Sequence, residues 1–173
     1  MIYYISDTHF GHYNIIKLTN RPFVSLEEMN STLIKKWNNK VSNGDTVYII
    51  GDLFYRSSED PELILKQLKG KKHLIIGNHD KKWLNKVDLK KYFISVNELL
   101  TFSNGKNKVT LCHYPMLCFE GTYLIHGHIH NNDLPLLKTM NNVLNASVEI
   151  NNYEPVTFVE LVKNNQIFKG EII

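Results

Sequence analysis

Val47-Tyr48-Ile49-Ile50-Gly51-Asp52 is the stretch on which the reading of this chain turns. Four apolar residues, enough for a buried strand, lead through a glycine onto a carboxylate. A carboxylate in that position is costly to bury unless it is paired or bound to a metal. The pattern recurs along the chain. Ile2-Tyr3-Tyr4-Ile5-Ser6 runs into Asp7, with His9 two further on, and His73-Leu74-Ile75-Ile76-Gly77 runs into Asn78, His79 and Asp80. Val109-Thr110-Leu111-Cys112 runs into His113, and Tyr123-Leu124-Ile125-His126-Gly127 runs into His128, with His130 two further on. In an open α/β sheet, ligands collect in the crevice at the carboxyl ends of the strands. Residues from Asp7 to His130 can therefore converge on one point.

Between the apolar runs the sequence alternates in period. Ser25 and Glu28 read as a capping box, followed by Met29, Leu33, Ile34 and Trp37 at helical spacing. Pro61 opens a second helix with Leu63, Ile64, Leu65 and Leu68 inward, and Gly70 ends it. Residues 81–92 read as a third, with Trp83, Leu84 and Val87 on one face. Beyond that the pattern is β: a hairpin of 99–102 and 109–112 around Asn104-Gly105, a strand at 123–125, and tail strands at 143–150, 156–161 and 167–172. A β-α-β-α-β front half and a strand-rich back half predict an α/β fold. Two mixed β-sheets pack face to face as a sandwich flanked by helices, in one domain over residues 1–173.

The 173 residues suffice for one proper core, and the composition is that of an ordinary soluble globular chain. The net charge of +3, from 20 Lys+Arg against 17 Asp+Glu, suits an anionic substrate without requiring nucleic acid. The lysines, among them Lys69, Lys71, Lys72, Lys81 and Lys82, read as a solvated face. No apolar stretch approaches the roughly 20 residues of a membrane span, so no membrane partner is expected. The first strand already delivers Asp7, so no cleaved leader is expected either, and the cytoplasm is the expected compartment. Two cysteines, Cys112 and Cys118, are too few for a disulfide framework.

The chemistry lies in the strand ends. They supply two carboxylates (Asp7, Asp52), one amide oxygen (Asn78) and four imidazoles (His9, His113, His128, His130), enough for two divalent ions that share a ligand. Two adjacent metals usually signify hydrolysis of a phosphate ester. Each motif alone is weak, because Asp-x-His arises by chance and Gly-Asn-His can be an Asx turn with a surface histidine. Jointly they are not: five of the eight histidines fall inside the five motifs, and His12 and His126 lie within four residues of one.

The ordered set Asp7-x-His9, Gly51-Asp52, Gly77-Asn78-His79-Asp80, His113 and Gly127-His128-x-His130 resembles the calcineurin-like metallophosphoesterases. Asp7-Thr-His-Phe-Gly-His12 with Arg21-Pro-Phe23 is similar to a small prokaryotic or phage-type branch. The resemblance implies a four-layer fold with a dimetal centre of manganese, iron, zinc or similar ions. It implies that Asp7, His9 and His130 hold the first ion, that Asn78, His113 and His128 hold the second, and that Asp52 bridges both. It also implies attack on phosphorus by a metal-bridging hydroxide, with His79 beside the ions contacting the phosphoryl group or protonating the leaving oxygen. Leu53-Phe54-Tyr55-Arg56 keeps the arginine of the phosphoprotein phosphatases as Arg56, a candidate phosphate ligand. It has Tyr55 where they carry the aspartate that orients the catalytic histidine, and Ile76 where they carry another arginine. A protein-phosphatase role is disfavoured, and the partner that orients His79 is left open.

The expected substrate is a phosphate mono- or diester that is small or nucleotide-like. Only His79, Arg56, His12 and Arg21 are at hand to meet a phosphoryl group beyond the metals, which favours diesters. Two alternatives stand beside this reading. A nuclease would use the aromatics Tyr13, Phe54, Tyr55 and Tyr114 that flank the motifs; nucleic acid is possible but not favoured. A non-catalytic metal-binding interaction module would keep the fold alone, yet all seven ligand positions are filled.

Overall fold

A computed structural model describes residues 1–55 and 60–172. Its strands are β1 (Ile2–Ile5), β2 (Thr46–Ile50), β3 (Lys71–Ile75), β4 (Phe93–Asn97), β5 (Leu99–Asn104), β6 (Asn107–Cys112), β7 (Tyr123–His126) and β8 (Val143–Asn145). Its α-helices are α1 (Ile15–Leu18), α2 (Leu26–Lys40), α3 (Pro61–Leu65), α4 (Leu89–Tyr92), α5 (Pro135–Lys138) and α6 (Phe158–Lys169). The strands form two four-stranded sheets, in the orders β1-β2-β3-β4 and β5-β6-β7-β8.

The expected sandwich is present, with one refinement. The first sheet is parallel throughout rather than mixed. The second is mixed, because the tight turn at Gly105 makes β5 and β6 antiparallel. Side chains alternate across each parallel strand. Tyr3, Ile5, Val47, Ile49 and Leu74 join the cluster of Met29, Leu33, Trp37 and Leu65 from α2 and α3. Their neighbours Tyr4, Tyr48, Ile50 and Ile75 meet Val109, Leu111, Ile125 and Leu144 between the sheets. Both faces of β1 and β2 are buried, which is why these two strands read as nearly unbroken apolar runs.

Helix α2 begins as Ser25 requires: its hydroxyl accepts from the Glu28 amide. The reciprocal bond differs from a capping box, since Glu28 accepts from Val24. Leu63, expected inward on α3, is exposed. Residues 81–92 are not one helix but two 3-10 turns (Asp80–Lys82 and Leu84–Lys86) and the short α4. There the Asp80 carboxylate turns back to Gly77, Asp52 and Leu53 and also holds the Trp83 indole, a tight local fold that a straight helix does not allow.

The tail is the largest correction. Residues 156–161 and 167–172 are not strands; most of that stretch is α6. Thr157 and Glu160 form a full capping box at its start, and Gly170 ends it in the left-handed conformation. α6 lies against β8 and β1 and so spans the join between the two sheets. No helix is long and apolar enough to cross a membrane among the described residues.

Candidate metal centre

The loops leaving β1, β2, β3, β6 and β7 meet at one end of the two sheets, and strained backbone brings their side chains together. Asp7, His9, Asp52, His128 and His130 all have positive φ, between 51° and 73°. Non-glycine residues rarely adopt this conformation, at a cost of order 1–3 kcal/mol each, and such outliers cluster at functional sites. Backbone bonds between loops hold them: Asp7 donates to the Gly51 carbonyl, His9 to Asp52 and Gly127 to His113. Two motif glycines are dictated by the same crowding. A Cβ on Gly77 would lie 2.2 Å from Asp52 Oδ1, and one on Gly127 would lie 2.5 Å from Asp7 Oδ2.

All seven expected ligand positions come together. Ligand atoms of Asp7, His9 and His130 lie within 4.8 Å of one another, as do those of Asp7, Asp52 and His113. Asn78 Oδ1 lies 3.1 Å from both His113 Nε2 and His128 Nδ1. Asp52 stands between these groups: its Oδ2 is 3.6 Å from His9 Nε2 and 3.4 Å from His113 Nε2. Its Oδ1 accepts from the His79 amide.

Each anchored ligand has one end fixed and one end aimed inward. Asp7 Oδ2 accepts from the hydroxyls of Ser6 and Ser147 and, with Oδ1, from the His128 amide. His113 Nδ1 donates to the Ile50 carbonyl, which leaves Nε2 for the centre. His9 Nδ1 meets His12 Nδ1 at 3.3 Å. The other nitrogen, His9 Nε2, is fully buried without a hydrogen-bond partner among the described residues. A buried polar atom normally has a partner. An unpartnered imidazole nitrogen facing two carboxylates fits a divalent cation, and the oxygen and nitrogen donor set suits manganese, iron or zinc.

The electrostatics agree. Burial holds the His9 imidazole well below its usual range, reinforced by His130 and Arg21, so its lone pair is free. Burial opposes charging of His113, but the Asp52 hydrogen bond and the Asp7 and Asp52 charges outweigh it and push its pKa up to about 9. Burial raises the Asp7 carboxyl; it acts the same way on Asp52, where the His113 contact prevails and lowers the pKa. Both shifts are in the sense that a cation would offset: it would take the place of a proton on His113 and balance the buried Asp7 carboxylate.

His79 stands beside the cluster, as expected, with Nε2 3.9 Å from Asp52 Oδ2 and its side chain 37% exposed. The His79 ring is met edge-on by Tyr55 at 4.9 Å and by His9 at 5.3 Å between centroids. Tyr55 in turn stacks on His12 at 3.5 Å.

Three expectations change. Arg21 does not face the substrate: its side chain is buried, donating to the carbonyls of Asp7 and Thr8 and to Glu149. His12 is buried under Tyr55, and desolvation, with the neighbouring His79 and Arg21, lowers its pKa to about 4; it is neutral near pH 7 and adds no charge. Phe54 is a core residue between Phe10 and Trp83, so it offers no stacking face. Tyr13 and Tyr114 are exposed. Arg56 lies outside the described residues. His126 bonds to the Gly127 carbonyl and is part of the interior.

Asp80, Ser147 and Glu149 were not singled out from sequence as parts of the site. Only Asp80 carried a signal, its place in the Gly-Asn-His-Asp motif. It accepts from the amides of Asp52, Leu53 and Gly77 and so locks two ligand loops together.

The calcineurin-like phosphoesterase family model matches residues 1–168. The chain is 42% identical over 181 aligned positions to the uncharacterized protein MJ1445 of Methanocaldococcus jannaschii, covering 99% of this chain and 94% of that one. It is 29% identical over 160 positions to the gene 66 protein of Mycobacterium phage L5, covering 75% and 77% respectively. Among solved structures it is similar to AQ665 of Aquifex aeolicus, a protein of unknown function, with a TM-score of 0.75, 30% identity, and coverage of 94% of this chain and 98% of that chain. The match along almost the whole length, over a fold and ligand cluster of this kind, shows that the chain belongs to the calcineurin-like phosphoesterase family.

Proposed function

We propose that the chain is a phosphoric ester hydrolase that works with two divalent ions of the manganese, iron or zinc type. Its substrate is a phosphate mono- or diester, small or nucleotide-like. The observation that carries this reading is the meeting of Asp7, His9, Asp52, His113 and His130, with Asn78 joining His113 to His128, where the buried His9 Nε2 has no partner among the described residues. Asp7, His9 and His130 would hold one ion and Asn78, His113 and His128 the other, with Asp52 placed to serve both. Bound there, such ions supply positive charge for the phosphoryl oxygens and lower the pKa of water.

The remaining work falls to the chain. The left-handed backbone at five ligand positions fixes the donors before substrate arrives, so little reorganisation is left for the reaction. His79, partly exposed beside Asp52 and steadied by Tyr55, donates a proton to the leaving oxygen. General acid catalysis of this kind contributes roughly a hundred- to ten-thousandfold. With Arg21 and His12 withdrawn, fewer cationic groups meet the phosphoryl oxygens, which favours a monoanionic diester over a dianionic monoester.

The test is turnover of bis-p-nitrophenyl phosphate, p-nitrophenyl phosphate and an alkyl monophosphate by the metal-stripped protein reloaded with manganese, zinc or iron. Metal-dependent hydrolysis is expected. Full metal loading with no hydrolysis of any ester would contradict the proposal and favour a binding module. Cleavage of polynucleotide alone, with steep salt dependence, would point to a nuclease.

A further inference from the structure

Behind the ligand cluster lies an ion pair that no motif announces. Glu149 sits in the 3-10 turn Val148–Ile150 and Arg21 in the loop after α1, 128 residues away in sequence. Both side chains are almost fully enclosed. Arg21 Nε and Nη2 donate to Glu149 Oε1, at 3.1 and 2.7 Å. The same oxygen lies 2.9 Å from His130 Nδ1.

We propose that Glu149 is a positioning residue for the metal centre: clamped by Arg21, it holds the proton of His130 on Nδ1 and presents Nε2 of that ring to the metal. This rests on the reading of His130 as a ligand. An ionised carboxylate can only accept, so the imidazole must donate through Nδ1. A neutral ring then carries its lone pair on Nε2. A carboxylate behind a ligating imidazole fixes the tautomer and raises ligand basicity.

Arg21 extends the effect to the other side of the same half. Its Nη2 donates to the Asp7 carbonyl at 2.7 Å and its Nη1 to the Thr8 carbonyl at 2.8 Å. Those carbonyls belong to the segment in which Asp7 and His9 are held at φ 56° and 51°. One buried ion pair thus ties His130 to the strained loop that carries the other two ligands. Stability alone explains such a pair poorly, because buried ion pairs are often no better than apolar packing.

The experiment uses the full chain. Metal-free wild type and Glu149→Gln are titrated with Mn²⁺ by calorimetry. The expected result is that one of the two Mn²⁺ ions binds about 10- to 100-fold more weakly in Glu149→Gln, while the other changes by less than about threefold. Equal affinities in both proteins would overturn the role of Glu149 and leave the metal centre standing. Failure of the wild type to bind Mn²⁺ would overturn the metal reading itself, and this inference with it. The substitution leaves Arg21 buried beside a neutral side chain and can prevent folding, so a second measurement needs no variant. Long-range ¹H–¹⁵N spectra of the Zn²⁺-loaded wild type should show His130 protonated at Nδ1 and metal-bound at Nε2. A proton on Nε2, or metal at Nδ1, would overturn the inference, and a purely structural ion pair would not select between them.

Discussion

Asp7, His9 and His130 form the half of the cluster set into the protein, whereas Asn78 and His128 look outward from it. In the inner half Asp7 and His9 are fully buried, and each ligand is backed by a further side chain: Ser6 and Ser147 behind Asp7, His12 behind His9, Glu149 behind His130. In the outer half only His113 is buried and anchored, through the Ile50 carbonyl. Asn78 and His128 lean on each other and on His113. Asp52, tied by its backbone to Asp80, belongs to both halves. The contrast fits a division of labour within the proposed centre: an inner half backed by further side chains, which would retain an ion more tightly, and a more open outer half, which would face solvent and substrate.

The strongest way to break this picture is at the shared residue. Asp52→Asn removes charge from both halves, so metal content should fall at both, and turnover should fall by more than about 100-fold, beyond the loss of a supporting residue. His9→Ala, by contrast, should empty only the inner half. Near-normal metal content and turnover in Asp52→Asn would mean that the halves are not joined there.

His79→Ala should lower turnover by roughly a hundred- to ten-thousandfold with both metals still bound. Elemental analysis alongside the kinetics checks this, and loss of one ion would make His79 a ligand and displace Asn78 from that role.

Acidity sharpens the contrast further. In the metal-free protein His113 keeps its proton up to a pKa of about 9, and an incoming ion must displace it. Apparent Mn²⁺ affinity of the outer half should therefore rise by about tenfold per pH unit from pH 7 toward 9, then level off. His9, held neutral by burial, adds no such dependence near neutrality. Mn²⁺ titrations at intervals across that range would decide it; a flat profile would show that His113 holds no proton there for the ion to displace.

The smallest expected effect concerns the substrate. Bis-p-nitrophenyl phosphate should be turned over faster than an alkyl monophosphate, because Arg21 serves the inner half and not the substrate. A clear preference for the alkyl monophosphate would show that the outer half holds a phosphate clamp.

Much of this was legible in the chain. Apolar runs ending on Asp, Asn or His mark strands whose ends can converge, and the seven side chains lie together at one end of the sheets, although the first sheet is parallel where the pattern predicted a mixed one. Sequence and fold differ where local capping outweighs apolar content: Val156–Leu161 is rich in apolar residues and reads as a strand, yet Thr157 and Glu160 start a helix at Phe158 that Gly170 ends. The supports of the inner half were not legible. Arg21 and Glu149 meet across 128 residues, and Asp7 and Ser147 across 140, and no spacing rule encodes contacts that arise only when two sheets close. For that reason Arg21, a loop arginine near a phosphate-type site, looks like a substrate ligand until its buried partners are seen.

In the proposed centre both halves hold an ion at once, on either side of Asp52. Anomalous diffraction from crystals of the manganese-loaded protein, collected on both sides of the manganese edge, tests it most directly. Two peaks are expected on the order of 3.5–4 Å apart, one beside His9 and His130 and the other beside His113 and His128, with an Asp52 oxygen between them. A single peak at full loading, or two peaks without Asp52 between them, would contradict it.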